Sequence, residues 1–198
     1  MRLYFHPMTR ATRPRWLLEE LGAPYELEIV DVYKGEGKRP EYLETHPHGA
    51  VPALTDGDLT LIESSAICLY LADQHAAGGL APPLGSAERG RYYQWMIYSV
   101  ATAEPPVLKV LRHTQREPNP ALADEGRAQW EPVARFIDRS LGDRPFILGE
   151  RFSAADVMLG SVVALAERLK LNESFPRLQA YAKRLTARPA FQKSRAAT

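Results

Sequence analysis

A chain of 198 residues can bury a core as one large domain or two small ones, and 25 basic against 24 acidic residues leave a net charge of +1. That balance removes any charge-based case for a nucleic-acid or membrane-surface partner. No long apolar run occurs, and the chain opens on a strand-like segment where a leader would carry a basic stretch and then an apolar one; a soluble cytoplasmic protein is the expectation.

In chain order, Leu3 and Phe5 share one face of a first strand that Pro7 ends. Met8 to Ala11 read as a loop. Trp16, Leu17 and Leu21 then fall at helical spacing, before Gly22 and Pro24 stop the helix. Pro14 is harmless only in a first turn, which puts the cap at Ala11 or Thr12 and leaves Thr9 and Arg10 outside. From Tyr25 the period becomes two, with Tyr25, Leu27 and Ile29 opposite Glu26 and Glu28, so a second strand lies parallel to the first through a right-handed crossover. Lys34 to Glu44 is charged and irregular: a mobile loop with one helical turn at Glu41 to Glu44.

The stretch from His48 to Ser65 carries the most local information. Val51-Pro52 removes a backbone donor and, if cis, turns the Val51 peptide outward. Asp56-Gly57 supplies the positive φ of a tight hairpin pairing Ala53–Thr55 with Leu59–Ile62. Ser64 or Ser65 then caps a helix whose free N–H groups form a small carboxylate site, beside Glu63, an acid suited to an ammonium.

The single cysteine, Cys68, excludes an internal disulfide and a C-x-x-C motif. In the apolar run Ala66-Ile67-Cys68-Leu69-Tyr70-Leu71 it reads first as a packed hydrophobe, second as a nucleophile. Ala76 to Ser86 has linker composition. Beyond it only helical segments occur, at about Ala87 to Gln115 with a break at Pro105-Pro106, Ala121 to Leu141, Ala154 to Leu169 and Arg177 to Ala187. Phe152-Ser153-Ala154-Ala155-Asp156-Val157 is a capping box with flanking apolar residues, and Asp156→Ala should cost on the order of 1 kcal/mol. The domains expected are 1–78, an α/β unit with a four-stranded mixed sheet, and 86–198, all helical.

This order of motifs resembles the cytosolic glutathione S-transferase family over essentially the whole chain. The resemblance rests on Trp16-Leu17-Leu18-Glu19-Glu20-Leu21-Gly22 with Pro24-Tyr25, on Pro47-His48-Gly49-Ala50-Val51-Pro52-Ala53-Leu54, on Ile62-Glu63-Ser64-Ser65-Ala66-Ile67, and on Gly149-Glu150-Arg151-Phe152-Ser153-Ala154-Ala155-Asp156. It implies a thioredoxin-like first domain that binds glutathione as co-substrate, without metal, and a helical second domain lining the electrophile site. By analogy Val51 pairs its backbone with the cysteinyl part of glutathione across a cis Val51-Pro52 bond, while Glu63 and Ser64 hold the γ-glutamyl ammonium and carboxylate; an ordinary helix cap is the competing reading.

The family places a Tyr, Ser or Cys near the end of the first strand or the start of the first helix to stabilise the thiolate. The segment here is His6-Pro7-Met8-Thr9-Arg10-Ala11-Thr12-Arg13, with no cysteine. Thr9, two residues after Pro7, matches the serine-type position, and Arg10 adds positive charge. Tyr4 reads better as a packed strand residue and Thr12 as a cap. At Thr45-His46-Pro47 and Ala50 the usual Asn and the Lys or Gln are replaced; His46 and His48 either serve the glycyl carboxylate or are exposed loop residues. Met8, Tyr98, Thr102 and Glu104 are the expected electrophile contacts, against an alternative in which Tyr98 and Trp95 are core. The family is usually homodimeric, and a residue such as Glu104 would reach a neighbour's glutathione. The function implied is conjugation of glutathione to small hydrophobic electrophiles in detoxification. The alternatives are a non-catalytic binding module and a glutathione-dependent peroxide or disulfide reductase.

Overall fold

The computed structural model describes residues 1–196 and divides the chain into two units. The first joins Met1–Gly79 to the C-terminal segment from Arg188; the second is Leu80–Ala187. This division differs at both ends from the expected 1–78 and 86–198.

In the first unit, β1 (Arg2–Phe5), α1 (Thr12–Leu21), β2 (Glu26–Ile29), α2 (Pro40–Thr45), β3 (Ala53–Asp56), β4 (Leu59–Ile62) and α3 (Ser64–Gln74) follow one another. The sheet order is β2-β1-β3-β4, with β1 parallel to β2 and antiparallel to β3, and β3 antiparallel to β4. This is the thioredoxin-like arrangement that the β-α-β, β-β-α order implied. Alternation along β1 splits its burial. Leu3 and Phe5 are fully buried, and on the other face Tyr4 packs with Val30, Tyr42 and Ala53. Gly22 closes α1 at φ 60°, as expected of a glycine C-cap.

The expected loop at Lys34 to Glu44 is more ordered than its composition suggested: a 3-10 turn at Glu36–Lys38 and the full helix α2 occupy it. Pro40 starts α2, and Tyr42 is its single buried residue, so tertiary packing outweighs a polar sequence there.

The last helix, α9 (Pro189–Arg195), belongs to the first unit and was not foreseen. It packs on α1, where the Phe191 ring meets Trp16 edge-on at 4.9 Å. Arg188 makes a bidentate pair with Glu20 at 2.6 and 2.7 Å, and Lys193 reaches Glu19 at 2.7 Å.

The second unit is helical: α4 (Ala87–Tyr98), a π turn (Ser99–Ala103), α5 (Glu104–Gln115), α6 (Pro120–Leu141), α7 (Ala154–Arg168) and α8 (Pro176–Thr186). The break expected at Pro105-Pro106 lies just before them, because these prolines occupy the first turn of α5. Gly126 lets α6 approach α5 closely; a Cβ there would lie 2.9 Å from Val110 Cγ2. In α7 the run Ala154 to Gly160 is buried throughout, making it the central helix of this unit. The expected capping box is present at its start.

Candidate functional site

Strand register brings three segments to one end of the sheet. Tyr4 pairs with Ala53 and Ala53 with Ile62, so the chain leaving β1, Val51-Pro52 entering β3, and Glu63-Ser64 leaving β4 are neighbours. The Val51-Pro52 peptide is cis, as expected, and Val51 packs against the Tyr4, Val30, Tyr42 and Ala53 cluster.

After β1 the chain turns through Met8, which adopts φ 62° and is 73% exposed. Thr9 and Arg10 lie outside α1, whose N-cap is Ala11. The half-buried Thr9 hydroxyl donates to the His6 carbonyl at 2.6 Å and accepts from the Ala11 N–H at 3.2 Å. Its one hydrogen is therefore used within the loop, and donation to a ligand requires it to rotate away from His6. Thr12 is the first residue of α1, and its hydroxyl bonds back to the Thr9 carbonyl at 2.9 Å. Tyr4, at 9% exposure, is a packed strand residue, with its ring 5.5 Å from that of Tyr42.

At the start of α3 the sequence reading needs correction. Glu63, exposed and at φ 71°, takes the N-cap position, so Ser64 and Ser65 are the first helical residues and neither caps by its side chain. Ser64 is buried, and its Oγ accepts from the Arg13 guanidinium at 3.3 Å across 51 residues of sequence. Arg13 itself is only 4% exposed. Sequence reasoning passed over it, although a signal exists: Arg13 precedes Trp16 and Leu17 by three and four residues, which puts a guanidinium on the apolar stripe of α1.

The loop entering Val51 is fastened from below. Tyr42 donates to the Ala50 carbonyl at 2.6 Å, and Lys38 Nζ to the His48 carbonyl at 3.0 Å. A Cβ on either Gly37 or Gly49 would overlap the other's carbonyl, so this approach needs glycine on both sides. His46 and His48 separate here. His46 is buried against Tyr42, and its Nδ1 accepts from the His48 N–H at 3.3 Å. Burial, with His48 adding to it, holds the His46 imidazole below its ordinary pKa, so it is neutral at neutral pH. His48 is exposed.

Cys68 is fully buried in α3, and burial pushes its thiol up to about 12. Among the described residues no group of three or more His, Cys, Asp or Glu is placed to hold a metal ion.

In the second unit, Tyr98 forms an aromatic cluster with Trp95 and Phe136 at centroid distances of 5.3 Å. Thr102 is exposed and Glu104 is buried at 5% exposure. Tyr98 is half-buried, and the π turn Ser99–Ala103 lies between it and Glu104.

Comparison with known proteins agrees with this geometry. Residues 1–73 match the family description "Glutathione S-transferase, N-terminal domain", and residues 120–184 the corresponding C-terminal domain. Glutathione S-transferase GstA of Escherichia coli O157:H7 is 31% identical over 196 residues, covering 97% of this chain and 96% of the relative. Among solved structures, a glutathione transferase of Methylococcus capsulatus superposes with a TM-score of 0.87 at 31% identity, over 98% of this chain and 96% of its own. A glutathione transferase family member of Pseudomonas fluorescens, solved with two glutathione molecules bound, gives a TM-score of 0.88 at 26% identity, over 98% and 91%. The chain belongs to the glutathione S-transferase family.

Proposed function

We propose that this protein is a glutathione transferase that conjugates the glutathione thiolate to small hydrophobic electrophiles. The observation that carries the reading is the convergence of the Thr9 loop, Val51-Pro52 and Glu63-Ser64 on one end of the sheet. In this reading Val51 pairs its backbone with the cysteinyl part of glutathione, beside Pro52. Glu63 takes the γ-glutamyl ammonium, Ser64 the adjoining carboxylate, and His48 lies near the glycyl end. Thr9 turns its hydroxyl from His6 to the thiolate, while Arg10 adds positive potential that favours the ionised form. Met8, Tyr98, Thr102 and Glu104 supply electrophile contacts, Glu104 from a buried position. The working form proposed is a cytoplasmic homodimer in detoxification.

The test is retention on immobilised glutathione together with turnover of a chloronitroarene. Thr9→Ala should lower kcat by about tenfold or more with little change in glutathione affinity, and Thr9→Ser should keep most activity. Undiminished turnover in Thr9→Ala moves the catalytic role to Arg10. The competing reading, a non-catalytic glutathione-binding module, draws on the Thr9 hydroxyl being already engaged with His6; measurable turnover by the wild-type chain overturns it. Reduction of disulfides through a protein thiol is disfavoured by the burial of Cys68.

A further inference from the structure

We infer that Arg13 is a positioning residue for glutathione recognition, acting through Ser64 to aim that hydroxyl at the γ-glutamyl carboxylate. This rests on the assignment of that carboxylate to the start of α3. Arg13 lies in the first turn of α1, two residues from Ala11, whose N–H bonds the Thr9 side chain, and its guanidinium crosses to the first residue of α3. Both partners are buried, at 4% and 4% exposure, so the bond is shielded from bulk water.

The chemistry follows from the hydrogen count on a serine. The hydroxyl has one hydrogen and two acceptor sites, and a guanidinium can only donate. With Arg13 donating to Oγ, the Ser64 hydrogen is excluded from that direction and remains available for an acceptor elsewhere. A charged donor also polarises the hydroxyl, making it a stronger donor in turn. The backbone N–H groups at the helix start favour an anionic acceptor at the same place. Arg13 thereby ties the helix that follows the thiol loop to the helix that reads the glutamyl end.

The experiment compares three ligands on five proteins. The ligands are glutathione; γ-aminobutyryl-cysteinyl-glycine, in which hydrogen replaces the glutamyl α-carboxylate and the amine is kept; and the glutamyl α-amide, which removes only the carboxylate charge. The proteins are wild type, R13M, R13K and the double variant R13M/S64A with S64A as its reference. R13M keeps an unbranched side chain that ends two atoms short of the guanidinium nitrogens and carries no donor, and thermal unfolding verifies that it folds.

The expected result is that R13M weakens glutathione by about tenfold to a hundredfold, the range for a hydrogen bond to a charged group, while the α-amide changes by about threefold or less. R13M should raise the KM for glutathione with kcat at saturation near wild type, R13K should restore part of the glutathione-over-amide preference, and R13M should add little on the S64A background. Equal weakening of glutathione and the α-amide, or full additivity with S64A, overturns the inference and leaves Arg13 a structural residue. If R13M does not fold, R13K decides: a glutathione-over-amide preference reduced below that of wild type in a folded R13K supports the inference, and an unchanged preference overturns it. Failure of the wild-type chain to bind glutathione overturns the proposed function itself, a result distinct from either.

Discussion

Tyr42 donates its phenolic hydrogen to the Ala50 carbonyl at 2.6 Å while its ring sits 5.5 Å from that of Tyr4 in the core of the first unit. One side chain thus anchors the backbone that enters Val51 to the sheet. Burial, with Tyr4 and Glu28 adding to it, raises the Tyr42 pKa, so the hydroxyl keeps its hydrogen well above neutral pH. Tyr42→Phe retains the ring and deletes the bond. It should cost about 1 kcal/mol in denaturant unfolding and raise the KM for glutathione with kcat little changed. An unaltered KM would detach the Ala50 segment from glutathione binding.

Two residues at the site hold a backbone that side chains disfavour. Met8 at φ 62° precedes Thr9, and Glu63 at φ 71° precedes Ser64. Such conformations cost roughly 1–3 kcal/mol each and persist where surrounding structure imposes them. Met8 is mostly exposed, so replacing it loses little packing. Met8→Gly should stabilise the fold by up to about 1 kcal/mol, offset in part by the entropy of glycine in the unfolded chain, and should lower kcat as the Thr9 loop loosens. Denaturant midpoints and steady-state kinetics check both; a gain in kcat would show that the strain is not part of how Thr9 is placed.

Cys68 gives a chemical test of the packing of α3. Burial holds its thiol at about 12, with Arg13 opposing that shift. The native protein should therefore leave a disulfide reagent such as dithiobis-nitrobenzoate unreacted at pH 8, and one thiol should appear on unfolding in denaturant. Rapid labelling of the native chain would contradict the burial of that helix face. Cys68→Ser should keep turnover.

The strands were legible because period-two patterning and Asp56-Gly57 are local signals, and Thr9 stood clear of α1 because Pro14 restricts where that helix begins. What escaped depends on residues far apart in sequence. Glu63 takes the cap because of a backbone angle no pattern reports, so the serines after it were misassigned. Arg13 matters through a bond spanning 51 residues. The helix α9 carries one anchoring aromatic, Phe191, and its position depends on Glu19, Glu20 and Trp16. The polar sequence of α2 is likewise ordered by one buried tyrosine. Thr102 lies within the π turn that follows Tyr98, a change of period that spacing arguments do not anticipate.

Asp156 is the position where the structure most enlarges the expected effect. The sequence suggested a capping interaction worth on the order of 1 kcal/mol. The carboxylate is fully buried and accepts from the Ser153 N–H and hydroxyl at 2.9 Å, and from the Ile147 N–H and Tyr181 hydroxyl at 2.8 Å. Asp156→Ala strands these donors in the interior and should cost about 3 kcal/mol or more. Burial raises the Asp156 pKa, opposed by these hydrogen bonds. A raised carboxylate contributes stability that is fully present below the unfolded value, near about 4, and is lost as pH rises through the folded value. Asp156→Asn, which does not titrate, is the reference: the advantage of wild type over it should be greatest at acid pH and shrink as pH rises. Urea unfolding of both proteins across the acid-to-neutral range reads this directly, and an advantage that grows with pH would mean that the four donors lower the pKa more than burial raises it.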